Sequence, residues 1–268
     1  MKLWTLMENT ACSADFYAEH GLSLYLQTGD HKILFDAGQS EAFSDNAQKL
    51  GIDLNCVDMA ILSHGHYDHS GGLTHFLACN DHAPIYLSSH AFEGHFNARG
   101  SDIGVSKQLE GNPRLRFVEE EQNIVPGLTL FTCNHQQLKW PIEPYGLSME
   151  QDHRRLPEDF RHEQYLLVQE GETRILISGC SHKGILNLVQ WFRPDILIGG
   201  FHFMKLDPDV EADRKTLTEA AQTLLTYPTV YYTGHCTGEK QFEFLKEIMG
   251  DRLQKLTTGQ YLCLGECE

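Results

Sequence analysis

The chain has 268 residues, of which 37 are acidic and 21 basic, giving a formal net charge of −16. That balance disfavours a polyanionic partner, and no Lys/Arg cluster forms a basic groove, so nucleic acid is not expected. No apolar run approaches the roughly 20 residues that span a bilayer, so no membrane partner is expected either. A hydrophobic share of 41% at this length supports a large core within one α/β domain over residues 1–268.

Met1–Asn9 has one basic residue and too short an apolar stretch for an export signal; it reads as the first strand. Gly21–Leu26 and Lys32–Phe35 flank the turn Thr28-Gly29-Asp30 as a hairpin. Ser40–Leu50, with Ala42, Phe43, Ala47 and Leu50 apolar, predicts an amphipathic helix. Val57–Leu62 reads as a buried strand opening into a loop, and Leu73, Phe76 and Leu77 give the following helix an apolar stripe. Ser70 is its expected N-cap, with the helix starting near Gly71. Ala83–Leu87 is a strand, and Leu115–Val118 and Leu128–Cys133 are strands flanking an acidic turn at Glu119-Glu120-Glu121. Tyr165–Gln169 and Thr173–Ser178 form a hairpin around Glu170-Gly171-Glu172. Helices near Ile185–Phe192, Asp213–Leu225 and Glu239–Met249 then alternate with strands near Asp195–Ile198, Val230–Thr233 and Tyr261–Leu264.

Regular patterning fails between Asn134 and His162, where prolines, aromatics and cations gather. A loop that long is usually functional or disordered, and its aromatics and prolines favour order. We read about 134–162 as a lid, with Trp140, Tyr145, Arg154 and Arg155 as substrate contacts. Phe92–Lys107, which includes Arg99, walls the same cleft.

The segment Ser63-His64-Gly65-His66-Tyr67-Asp68-His69 concentrates three imidazoles and a carboxylate after a strand. Neutral imidazoles with a hard carboxylate suit a borderline divalent ion, and the groups outnumber what one catalytic ion takes from protein. Two adjacent ions are expected, most simply Zn2+, with iron or manganese as alternatives. His182 and His235 come directly after strands, where α/β folds place their ligands, and complete the set. Cys180 shares the turn of His182 and reads equally as thiolate ligand or as packing. His135 reads as a lid or supporting residue, and His202 as a substrate contact or proton donor. The eight cysteines show no C-x-x-C pair, so most are expected to be reduced and buried, in a cytoplasmic protein.

His64-x-His66-x-Asp68-His69 resembles the metal signature of the metallo-β-lactamase superfamily, and Asp36 and Gly38 match its supporting Asp-x-Gly. His20-Gly21-Leu22-Ser23, Gly179-Cys180-Ser181-His182-Lys183-Gly184-Ile185-Leu186-Asn187, Gly199-Gly200-Phe201-His202 and Gly234-His235-Cys236-Thr237-Gly238 are similar to one branch. That branch is named for the dihydropterin-(ribofuranosyl)aminobenzene-phosphate synthase of methanopterin biosynthesis. The resemblance implies a four-layer αββα sandwich of two similar halves with the metals at one edge. No repeat between the halves is visible in the sequence.

Zinc brings the pKa of bound water to about 7, so a metal-bound hydroxide is the expected nucleophile. Asp68 would orient it and His202 would protonate the leaving group. The expected activity is hydrolysis or a related group transfer on a small anionic substrate. A pterin-type condensation and a metal sensor without turnover are the other classes. A diiron reductase is disfavoured, because such members carry Glu where His66 stands.

Overall fold

Period-two alternation sorts the apolar side chains of the central strands into separate layers. Leu24, Leu26, Ile33 and Phe35 enter one buried cluster together with Leu166, Val168, Ile175 and Ile177. Their neighbours in sequence face outward into two further clusters: Tyr25 and Leu34 into one, Tyr165 and Leu176 into the other. Two sheets therefore pack face to face, each covered on its outer side by helices.

The computed structural model describes residues 1–265. The first half supplies β1 (Lys2–Met7), β2 (Ser23–Thr28), β3 (His31–Phe35), α1 (Ala42–Lys49), β4 (Met59–Ile61), α2 (Tyr67–Ser70), α3 (Leu73–Cys79), β5 (Ile85–Ser88), β6 (Gly94–Phe96) and β7 (Leu115–Val118). The second supplies β8 (Glu121–Val125), β9 (Leu128–Phe131), β10 (Ser148–Gln151), β11 (Arg154–Pro157), β12 (Tyr165–Glu170) and β13 (Thr173–Ile177). It continues through α4 (Ile185–Phe192), β14 (Ile196–Ile198), α5 (Glu211–Leu225), β15 (Val230–Thr233), α6 (Glu239–Met249), β16 (Leu253–Lys255) and β17 (Tyr261–Cys263).

The sheets have the orders β17-β1-β2-β3-β4-β5-β7 and β8-β9-β12-β13-β14-β15-β16. Read in these orders, both show three antiparallel pairings followed by three parallel ones. The two halves repeat in topology although no repeat is visible in the sequence. Among the described residues no helix is long and apolar enough to cross a membrane.

Four expectations change. Glu119 and Glu120 are the passage between the two sheets rather than a turn joining the flanking strands, and Glu121 already pairs with Phe131 as the first residue of β8. Ser70 closes α2 instead of capping the next helix, because Asp68 and His69 themselves lie in that helical turn. Residues 134–162 are not wholly irregular: β10 and β11 form a hairpin that adds to β6, tying the two irregular stretches into a three-stranded sheet. Of the six free cysteines only Cys133, Cys180 and Cys236 are buried, while Cys12 and Cys56 are exposed. Cys263 is disulfide-bonded, and Cys267 lies outside the described residues.

The parallel strands end at one edge, and those ends must crowd together to form a site. Gly199, at φ +143°, comes directly after β14; a Cβ there would lie 2.1 Å from the Ser178 carbonyl oxygen. A Cβ on Gly200 would lie 2.2 Å from Cys236 Sγ. The paired glycines thus let the turns after β13, β14 and β15 touch. We expect Gly199→Ala to destabilise the chain by at least about 2 kcal/mol in urea unfolding, through backbone strain and overpacking. An unchanged midpoint would show that the strand ends have room to move apart.

Candidate metal centre

Asp36 sits at φ 58° after β3 and is buried. Its Oδ1 accepts from Ser63 N at 2.7 Å, and its Oδ2 accepts from Ser63 Oγ at 2.7 Å. His69 Nδ1 donates to the same Oδ2 at 2.7 Å. Because Ser63 Oγ spends its proton on Asp36, the His64 Nδ1 at 2.8 Å must donate to it. His64, kept neutral by burial, therefore presents an unprotonated Nε2 inward, and His69 does the same in its neutral form. On the other side, Gly21 N donates to Asn9 Oδ1, which orients that amide to accept from His235 Nδ1 at 3.0 Å. His235 also turns a bare Nε2 inward.

Two adjacent sets result. In the first, ligand atoms of His64, His66 and His182 lie within 4.8 Å of one another. His64 Nε2, His66 Nε2 and both nitrogens of His182 are buried without a hydrogen-bond partner. In the second, His69 Nε2 and His235 Nε2 are 3.1 Å apart, and Asp68 Oδ2 lies 3.3 Å from His235 Nε2 and 3.8 Å from His69 Nε2. With His69 neutral these three inward atoms are all acceptors facing one another, an arrangement that either a cation or a proton on His69 Nε2 relieves. Cys180 Sγ, 3.3 Å from His69 Nε2, groups with His64 and His69 and also with His235 and Cys236. His20, which stands out in the sequence only as part of a glycine motif, reaches Asp68 Oδ2 at 3.2 Å. The residues present fit divalent metal.

The protonation states agree. Burial lowers the pKa of His66 to about 3 and that of His235 to about 4. Burial, reinforced by neighbouring imidazoles, takes His64 and His182 well below the usual range. Burial opposes ionisation of Asp68, yet the imidazoles of His69, His20 and His235 hold it well below the usual carboxylate range. His64, His66, Asp68, His182 and His235 thus favour their metal-binding forms at neutral pH. His69 is raised: burial lowers it, but Asp36 and Asp68 outweigh that; burial also pushes the Cys180 thiol up, away from the thiolate form.

The imidazoles of His95 and His162 lie 5.7 and 5.0 Å from that of His66, and with Glu158 they form a second buried cluster. Its hydrogen bonds occupy one nitrogen of each of His95 and His162 and leave both Nε2 atoms buried without a hydrogen-bond partner. His162 Nδ1 accepts from Gly65 N at 2.8 Å, so its Nε2 carries the proton and faces Glu158 Oε1 at 3.6 Å. His95 Nδ1 donates to Glu158 Oε2 at 2.9 Å. The cluster braces the ring of His66. Sequence reasoning missed it, since His95 and Glu158 lie in stretches without periodicity.

A cleft of about 390 Å³ opens over the metal residues, walled by Tyr67, Arg99, Tyr145, Met204 and Lys205. His202, at φ 56°, stands in its wall with its ring 4.2 Å from that of His182 and 5.6 Å from Tyr145. Burial lowers the pKa of His202 to about 4. Arg154 and Arg155 are not brought to the cleft. They lie on the fully exposed β11, where Arg155 stacks 3.7 Å over the Phe96 ring. His135 is an exposed residue 3.2 Å from Glu120, remote from the ligand sets. Trp140 lines a neighbouring cavity that shares Tyr145, His182 and His202 with the cleft.

Residues 17–200 match the metallo-beta-lactamase superfamily, and the chain, with its sandwich and its histidine-rich edge, belongs to it. It is 27% identical to the 7,8-dihydropterin-6-methyl-4-(beta-D-ribofuranosyl)-aminobenzene-5'-phosphate synthase of Methanocaldococcus jannaschii, over 98% of this chain and 96% of that one. An uncharacterized protein of the same organism is 28% identical over 91% and 93% of the two chains. A solved metal-dependent hydrolase of the beta-lactamase superfamily superposes with a TM-score of 0.84 at 26% identity, covering 99% of this chain and all of that one. The fold is that of a metal-dependent hydrolase, and this family binds divalent metals.

The geometry generates two expected outcomes. Asp68→Ala removes the one carboxylate of the second ligand set, so elemental analysis should find that ion lost more readily than the one at His64, His66 and His182. Equal loss of all metal would break the division into two sets. For the metal-free protein, the histidines with lowered pKa values take up protons in the unfolded chain first. Stability present above pH 6.5 is therefore lost as pH falls toward 4, by up to about 1.4 kcal/mol per pH unit for each. His69 works in the opposite sense. Thermal melts from pH 7 to 5 should show a falling Tm, and a flat profile would contradict neutral ligands.

Proposed function

We propose that the chain is a dinuclear metal-dependent enzyme, with zinc the expected metal, that hydrolyses a small anionic substrate or transfers a group from it. The observation that carries this reading is the convergence of His69, His235 and Asp68 beside the unpartnered buried nitrogens of His64, His66 and His182. Bound divalent ions would supply an acidified water and polarise the oxygen under attack.

The chain's own residues supply the rest. Asp68 is an ionised acceptor at the cleft floor, suited to orient an attacking water while it binds metal. Arg99 and Lys205 give the cleft wall positive charge for an anionic group. His202 is neutral at pH 7, so we assign it a hydrogen bond from its ring to the leaving group, instead of the acid role expected from sequence. Residues 140–147 form the cover: Tyr145 and Leu147 line the cleft directly. We take the compartment to be the cytoplasm, on the six free cysteines among the described residues, against which stands the disulfide-bonded Cys263. A condensation that releases a phosphate-type group is the second reading, favoured by the synthase relative over nearly the whole chain.

A panel of phosphodiesters, lactones and thioesters, run with metal-loaded protein, tests the proposal. His64→Ala should abolish turnover of every substrate, whereas Tyr145→Ala should raise KM severalfold or shift preference with metal content intact. Metal-replete protein that turns over nothing in the panel, and nothing in a pterin condensation assay, would leave a sensor as the reading.

A further inference from the structure

Beside the metal cleft lies a second cavity of about 420 Å³, within the range of small-molecule sites. Its floor is apolar, formed by Ile185, Phe201, Leu206 and Ala220, and its roof is Trp140, Ile142 and Tyr145. Trp140, Tyr145 and Phe203 are each only half-buried around it, so large apolar faces stay wet unless something covers them. The two chambers are contiguous: Tyr145, His182 and His202 wall both. Their charge differs. Arg99 and Lys205 line the metal cleft, while the charged residues lining the second chamber are Glu143 and Glu219.

The roof is held by one side chain. Asn187 Oδ1 accepts from Lys139 N and Trp140 N, each at 3.0 Å, and its Nδ2 donates to Trp140 O at 2.9 Å. Asn187 is buried in α4, five residues beyond His182. The helix next after the metal turn therefore also fixes the chamber's height. Asn187 Nδ2 also donates to Lys183 O at 2.8 Å, so a residue outside the ligand groups ties the chamber's roof to the turn that carries His182.

We propose that this chamber binds the flat, apolar body of a substrate whose anionic group sits in the metal cleft, with Asn187 fixing the roof as a specificity-determining residue. The inference rests on the reading of the cleft as a metal-dependent reaction site and adds the substrate class. The Glu143 carboxylate rejects a second anionic group and accepts N–H or O–H donors, whereas Glu219 is already paired with Lys215 at 3.8 Å. Polyphosphates and dicarboxylates are thereby disfavoured, and a single-headed anion on an aromatic ring system is favoured.

The probe is 8-anilinonaphthalene-1-sulfonate, compared with neutral N-phenyl-1-naphthylamine, on the metal-loaded full chain by fluorescence titration. Saturable binding at one site is expected, tighter for the sulfonate. Ala220→Trp, which fills the chamber, should weaken both dyes at least tenfold. Arg99→Ala should weaken only the sulfonate, by about threefold. Asn187→Ala should weaken both while leaving metal content unchanged. If Ala220→Trp fails to fold, Thr223→Trp at the rim of the same chamber serves in its place. Absence of saturable binding, or dye affinity unchanged in a folded, metal-replete chamber-filling variant, would overturn the proposal. Absence of metal from the purified protein would instead overturn the proposed reaction, while dye displacement by Ala220→Trp would still stand.

Discussion

One buried carboxylate organises the metal end of the molecule. Asp36 accepts three hydrogen bonds, two from Ser63 and one from His69, and every one of them has a consequence for a ligand. The bond from His69 sets that ring's tautomer; the bonds from Ser63 set, through its hydroxyl, the tautomer of His64. A carboxylate behind a histidine also raises the basicity of the inward nitrogen. Substituting an amide at Asp36 would keep the size and lose this direction, because an amide can donate where only acceptance is useful.

The halves of the sandwich share a pairing pattern but contribute to the site differently. The first half delivers a contiguous loop from the end of β4, so four candidate ligands arrive within six residues. The second half delivers single residues from the ends of β13, β14 and β15. A loop from one strand can be positioned by its own hydrogen bonds, whereas separate strand ends must be brought into contact by packing. That is why the second half carries Gly199 and Gly200, and why its ligands are interleaved with the buried Cys180 and Cys236.

The same difference governs how much of the molecule is legible in the sequence. The loop from His64 to His69 announces itself because its chemistry is local, and His182 and His235 are visible because each stands just past an apolar strand. The period-two strands and the helix stripes of Leu73, Phe76 and Leu217 are equally local. The features that escape are either exposed or assembled from afar. Every residue of β11 faces solvent, so no alternation marks it, and its arginines look available although Arg155 is stacked on Phe96. His95, Glu158 and His162 meet only through folding, and His20 reads as part of a glycine motif until Asp68 is placed beside it. The sequence leaves open whether Cys180 binds metal, and the fold narrows this only to proximity: its sulfur stands within reach of both ligand sets.

The backbone at the site is held in a conformation that free chains avoid. Asp36, Ser181, His202 and His235 all have φ between 47° and 58°, in the left-handed region, though none is glycine. Each such residue costs on the order of 1 kcal/mol or more, so its surroundings must compensate. At His235 the compensation comes from the far end of the sequence. Its backbone N–H donates to the buried Glu8, whose other oxygen accepts from Thr10 N at 2.6 Å and from Thr10 Oγ1 at 2.8 Å. Glu8 N in turn donates to Thr258 Oγ1 at 2.7 Å, and Asn9 holds the imidazole by its Nδ1. The end of β1 thus supports the candidate metal site although it offers none of its proposed ligands. By clamping both backbone and ring of His235, it converts a strained turn into a fixed one, and a fixed turn keeps His235 Nε2 facing Asp68 and His69.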